Sequence, residues 1–166
     1  MTQGKRGMAW IDLPPVWLAL ALGCVWAVDA AVPVAGLGPA GQGAGAVLVV
    51  LGLGLMAVAV VQMVVARTTV IPRRDPSRLM TGGVFAISRN PIYLGDALIL
   101  AGAILWWDAW LALPLLAAFV VLIDRRFIRD EEARLRAAFG PEFDEWAART
   151  GRWVGTVSRK GANDRN

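Results

Sequence analysis

The chain has 166 residues, 57% of them hydrophobic, a net charge of +4, one cysteine and no histidine. The apolar share exceeds the roughly 45–50% of an average soluble domain and is gathered into long runs, which points away from a soluble protein and towards an all-α integral membrane protein of one domain. The missing histidine removes the commonest general base and neutral metal ligand, and one thiol gives zinc, haem or iron–sulfur centres little to bind, so no metal site is expected.

Lys5 and Arg6 precede the first apolar run, 15–32. A cleaved signal peptide is the alternative, with Ala27–Val28–Asp29–Ala30 as a weak cleavage-like site. Cleavage would place the later arginines outside, so an uncleaved span fits better. Cys24 lies within this run and is expected to pack. Gly41–Gln42–Gly43–Ala44–Gly45 has the glycines of a dinucleotide loop, but no strand precedes it, and it reads as a flexible loop feeding a second span at 44–66. The third and fourth runs, 91–106 and 110–123, are separated by Trp107, Asp108 and Ala109, as in a tight helical hairpin. No internal repeat of the kind that builds transporters is evident.

The charges give the orientation. Every lysine and arginine falls at Lys5–Arg6, between Arg67 and Arg89, or from Arg125 onwards. With four spans those places share one side. The positive-inside rule then puts both termini and the central loop in the cytoplasm, for a multi-pass protein of the cell inner membrane. Trp106, Trp107 and Trp110 would mark the outer interface and Trp10 the inner one. Orientation and anionic headgroups account for the basic excess, and no nucleic-acid partner is expected. The expected organisation is one membrane domain, with a helix pair at 15–66, a motif-rich region at 67–153 and a disordered tail at 154–166.

Polar residues cluster where the third span begins. Asn90 is a good N-cap and Pro91 suits a first helical turn. Free N–H groups there would favour an anion. Gly95 and Gly102 share a face, which allows close helix packing or leaves room for a ligand. Asp96 lies about 7 Å inside the helix start and should face protein, water or a ligand. It is a candidate catalytic base or acceptor-positioning group. After the fourth span the helix is expected to continue through Asp124–Arg125–Arg126. From spacing alone, Arg129–Glu132, Glu131–Arg134 and Glu132–Arg136 read as surface ion pairs along one helix. Arg126 and Arg129, at headgroup level, are candidates to hold an anionic group of an acceptor. Phe139–Gly140–Pro141 should break the helix, and Phe143, Trp146 and Ala147 give the next one an apolar face against protein or membrane.

Leu79–Met80–Thr81–Gly82–Gly83–Val84–Phe85, then Arg89–Asn90–Pro91–Ile92–Tyr93–Leu94–Gly95, then Glu131–Glu132 with Leu135 and Phe139–Gly140, resemble the isoprenylcysteine carboxyl methyltransferase and phospholipid methyltransferase families, which are multispanning enzymes using S-adenosylmethionine. The resemblance covers about half of the chain. It implies a cofactor pocket at the cytoplasmic end of the third and fourth spans, lined by Leu79, Met80, Phe85, Asn90, Tyr93, Leu94, Gly95 and Glu131. Asn90 stands where many members have histidine, and Phe85 where many have tyrosine. In that pocket Glu131 or Glu132 can accept from an ammonium or ribose hydroxyls, Arg89 or the helix start can hold a carboxylate, and apolar side chains can cover adenine.

The expected function is therefore methyl transfer to a lipid-soluble or lipidated acceptor. A carboxylate or thiol acceptor is mildly favoured, because a phospholipid amine must lose a proton and no histidine can take it. Asp96, Glu131, Glu132, Tyr93 or water would have to serve instead. The alternatives are a non-catalytic membrane scaffold or small-ligand binder that keeps the fold and, more remotely, a small transporter or channel.

Overall fold

Among the described residues, proline opens five of the six α-helices, at the first or second helical position, where its missing N–H has no intrahelical partner to lose. The computed structural model describes residues 13–34, 36–68 and 77–155. The helices are α1 (Pro14–Ala31), α2 (Pro39–Val65), α3 (Pro91–Trp106), α4 (Leu113–Ile123), α5 (Arg129–Phe139) and α6 (Pro141–Ala147), and no strand occurs among the described residues. Only α5 lacks an opening proline. It continues α4 through a π turn, Asp124–Ile128, so that 113–139 is one unbroken helical rod. Gly140, at φ 50°, then ends α5 and starts α6, a backbone conformation that a Cβ disfavours.

α2 is the main packing partner of α3, and α1 and α4 lie against α3 as well. Gly52 meets Gly95 and Gly45 meets Gly102 across α2 and α3. A Cβ added to Gly95 would stand 2.7 Å from the Gly52 carbonyl oxygen, and one added to Gly102 2.6 Å from that of Gly45. The small residues therefore serve backbone approach, which in lipid supplies the packing that hydrophobicity cannot.

Two apolar clusters fill the interior. One joins Val25 of α1, Leu100 and Ile104 of α3, Phe119 and Ile123 of α4, and Phe127 and Ile128 of the π turn. The other joins Ala59 of α2, Leu79, Phe85, and Phe143 and Trp146 of α6. The apolar face of α6 is thus turned to protein, and the Trp146 indole N–H donates to the Phe85 carbonyl at 3.1 Å.

α1 and α2 are long and apolar enough to cross a membrane, yet most of each is unburied. Leu20, Trp26, Val47, Val50, Val61 and Val65 are all more than half exposed. A soluble protein rarely leaves so much contiguous apolar surface in water, whereas lipid tails cover it at no cost. α3, with 16 residues, is about 24 Å long and α4 is shorter, both below the roughly 30 Å of a bilayer core.

Three local expectations are corrected. Residues 41–45 are helical, because α2 begins at Pro39 rather than at 44. Gly41 and Gly45 are buried there, and the Asp108 carboxylate accepts the backbone N–H groups of Leu37 at 2.9 Å and Gly38 at 3.1 Å just ahead of that helix start. Cys24 is exposed rather than packed, since the buried face of α1 is the one carrying Val25. The fourth apolar run opens with a 3-10 turn, Trp110–Ala112, before α4. Lys5, Arg6, Trp10 and the tail from 156 onwards lie outside the described residues.

Candidate functional site

The stretch leading into α3 is held from two sides. On one side Gln62, one of two polar residues in the long apolar helix α2, accepts the Val84 N–H at 3.3 Å. Its amide lies so close to Gly83 that a Cβ there would collide with it, and Gly83 also has φ 61°. This contact seats a 3-10 turn, Gly83–Ala86, and turns Phe85 inward, where it is buried. On the other side the chain after α6 straps over residues 87–90. The Arg89 N–H donates to the Gly151 carbonyl at 3.0 Å, and the Gly155 N–H donates to the Ile87 carbonyl at 3.2 Å.

Asn90 occupies the N-cap position of α3 but makes no side-chain capping bond. Its amide nitrogen donates to the Arg152 carbonyl at 3.1 Å. Its own backbone N–H donates to Ser88 Oγ at 3.0 Å, and that hydroxyl donates in turn to the Arg152 carbonyl at 3.4 Å. The expected cap is absent, and the side-chain amide is turned to donate to the strap instead.

A cavity of about 360 Å³ opens beside this helix start, within the range of small-molecule sites. Its polar lining is Arg89, Asn90, Tyr93, Asp96 and Glu131. Its apolar lining includes Phe85, Pro91 and Ile92, with Leu13, Pro14 and Pro15 at the start of α1 and Met56, Val60 and Met63 of α2. The Tyr93 hydroxyl donates to Glu131 Oε2 at 3.1 Å. Burial pushes the Glu131 carboxyl above its ordinary value, with the Tyr93 bond opposing. Asp96, 2% exposed, makes no hydrogen bond or ion pair among the described residues. Burial pulls the Arg89 guanidinium below its ordinary value, and Glu132 opposes that. Arg89 Nε is buried with no partner among the described residues.

Behind the cavity runs a chain of charges. Glu132 Oε1 takes Arg89 Nη1 at 3.2 Å and Arg152 Nε at 3.1 Å, while its Oε2 takes Arg152 Nη2. Arg152 Nη1 reaches Asp124 Oδ1 at 2.9 Å, and Asp124 Oδ2 takes Arg129 Nε at 3.0 Å. Arg136 pairs with Asp144 of α6 at 2.8 Å. The Arg129–Glu132 and Glu132–Arg136 pairs expected along α5 give way to these, because Glu132 is buried facing the α3 start and the π turn brings Asp124 near Arg129; Glu131 still feels the positive charge of Arg134. Glu132 holds the Arg152 guanidinium above its ordinary value.

Of the residues singled out from the sequence, the fold brings Phe85, Arg89, Asn90, Tyr93, Asp96 and Glu131 to the cavity wall. Glu132 stands behind Arg89. Leu79 is buried in the cluster that holds Phe85, and Met80 packs against that cluster. Gly95 faces Gly52 and Met56 instead of the cavity, and Leu94 is half-buried off the lining. Arg126 stacks over the Trp17 ring of α1, 5.5 Å from its centroid, and Arg129 is largely exposed. Sequence reasoning missed the α1 start, Arg152, and Met56, Val60 and Met63. The last three share a helix face at 3–4 spacing, but nothing in so uniform an apolar run sets that face apart.

A family model described as phospholipid methyltransferase matches residues 42–142, more than half of the chain. Comparison with curated proteins and with solved structures gives no match. The matched stretch contains every cavity residue except Leu13, Pro14 and Pro15, and it ends before Arg152.

Proposed function

We propose, for a chain that belongs to the phospholipid methyltransferase family, that the cavity at the α3 start binds S-adenosylmethionine and that the protein methylates a nucleophile borne by a membrane lipid or lipidated molecule. The observation that carries this reading is the composition of the cavity. One guanidinium with an uncommitted Nε, two carboxylates and apolar walls meet in a single space at the end of two apolar helices.

The residues fit the cofactor's groups. Arg89 Nε is a donor awaiting an acceptor, and a carboxylate suits it. Glu131, already oriented by Tyr93, can accept from an ammonium. Phe85, Met56 and Met63 offer apolar and polarisable surface to an adenine ring. The bound cofactor would supply a methyl group on a positively charged sulfur, poised to leave to a nucleophile. The protein's part is alignment and exclusion of water.

Two carboxylates against one guanidinium in the lining favour a cationic headgroup, and so an amine acceptor over a carboxylate or thiol. Asp96 takes the proton that such an amine must shed before its nitrogen bonds the methyl carbon. Arg126, within the π turn, and Arg129, just after it, meet the acceptor's phosphate. The topology in this reading has four crossings, with α3 and α4 forming the short second hairpin. Both chain ends and the site lie on the cytoplasmic side, where the arginines gather.

Calorimetric titration of the detergent-solubilised protein with S-adenosylmethionine tests the reading, together with incubation of methyl-labelled cofactor with membrane lipid extract. Saturable binding and a labelled lipid are expected, and the Asp96→Asn protein should bind the cofactor but label the lipid slowly. Absence of binding by the unaltered protein would leave a scaffold that keeps the fold without the reaction.

A further inference from the structure

We infer that Arg152, which lies beyond the family-matched stretch, is a positioning residue of the cavity that keeps Arg89 Nε free to receive a ligand. This inference rests on the reading of the cavity as a cofactor site.

Two guanidinium groups converge on the one carboxylate of Glu132. Arg152 approaches through Nε and Nη2, one on each oxygen, in the two-pronged manner that arginine and carboxylate prefer. Arg89 reaches the same group through Nη1 alone, on an oxygen that Arg152 already shares. The better geometry is thus taken, and Arg89 is left with a one-ended contact and a buried Nε that has no partner among the described residues. A buried donor without a partner is costly, so something must prevent Arg89 from turning its edge onto Glu132. Arg152 does so by occupying that edge and by repelling the second positive charge. Asp124 accepts from Arg152 Nη1 and fixes the far end of the guanidinium.

The side-chain role separates from the main-chain one. The Arg152 carbonyl takes the Ser88 hydroxyl and the Asn90 amide, and these bonds survive any change of side chain. An Arg152→Ala protein keeps the strap over residues 87–90 and loses only the hold on Glu132 and Asp124. Arg89 then turns two-pronged onto Glu132, and its Nε leaves the cavity.

Titration with S-adenosylmethionine, run beside thermal unfolding in detergent, tests this. Arg152→Ala should raise the cofactor Kd about tenfold, the size of one charged hydrogen bond. Arg152→Lys should recover the melting temperature but little of the affinity, since a point charge cannot hold both oxygens. In an Arg89→Lys background, which has no Nε, Arg152→Ala should change the affinity little further. Arg136→Ala, which breaks an exposed pair between α5 and α6, should leave the affinity unaltered.

An equal factor lost in both backgrounds would make Arg152 a plain structural staple and overturn the inference. So would full affinity in Arg152→Ala, or in Arg152→Lys should the alanine protein fail to fold. Failure of the unaltered protein to bind the cofactor would overturn the cofactor-site reading and this inference with it.

Discussion

The two ends of the α2–α3 pair are held together in different ways. At the Gly45–Gly102 end the backbones touch, and a Cβ on Gly45 would stand 2.5 Å from the Gly102 carbonyl and 2.8 Å from the Trp106 nitrogen. Just beyond them the Asp108 carboxylate accepts the N–H groups of Leu37 and Gly38 ahead of α2, but between the glycines shape alone makes the contact. At the Asn90 end a polar strap, a chain of five charged side chains and a cavity take the place of close contact. Shape tolerates no added atom, because backbone cannot yield. A charge network tolerates a substitution in stability but not in what it presents to a ligand. One end should therefore fail by unfolding and the other by losing function.

Gly45→Leu should show the largest effect. The new side chain meets backbone on α3, so we expect a loss of about 2–3 kcal/mol in stability, read from unfolding in detergent, while any folded fraction still binds S-adenosylmethionine normally. A folded protein with weakened binding would mean that the two ends are not separable.

Glu131→Gln should show the opposite pattern. Cofactor affinity should fall about tenfold with the charge, while the melting temperature at neutral pH holds or rises, because a buried charge has been removed. The pH dependence sharpens this. Burial raises the folded-state pKa of Glu131, so its contribution to stability is fully present below the ordinary carboxylate value and is lost as pH rises through the raised one. Glutamine should abolish that slope. Cofactor affinity of the unaltered protein should climb over the same window as Glu131 ionises.

The smallest effect belongs to the exposed arginines. Arg126→Ala or Arg129→Ala should raise the KM for the lipid acceptor about two- to fivefold, as expected of solvent-screened charges, and leave cofactor affinity unchanged. A change in cofactor affinity instead would show that the rim and the cavity act as one.

Much of this was legible along the chain. Long apolar runs broken by proline gave the helix starts of α1 and α3, because proline acts on its own turn and needs no partner. The family resemblance running from Phe85 to Glu131 pointed to residues of the cavity wall, whereas spacing alone read Glu131 and Glu132 as surface pairs and marked only Asn90, Tyr93 and Asp96 at the helix start. Residues 41–45 were misread, since glycines signal loop in isolation and close helix contact only when a facing helix is known. The capping role expected of Asn90 failed for a similar reason, as its amide is turned to donate to the carbonyl of Arg152, 62 residues away.

The sequence by itself determined an all-helical chain with apolar helices, basic residues kept out of the apolar runs and a polar cluster at one helix start, because composition and local spacing act over a few residues. Tertiary structure alone decided that Glu132 turns to Arg89 and Arg152 instead of its neighbours on α5. It also decided that Gly95 serves packing while Tyr93 and Asp96 face the cavity, and that α1 and α2 lend Leu13, Met56 and Met63 to its wall. Those outcomes depend on which helix faces which, and a carboxylate pairs with the cation that the fold brings nearest, whatever its place in the sequence.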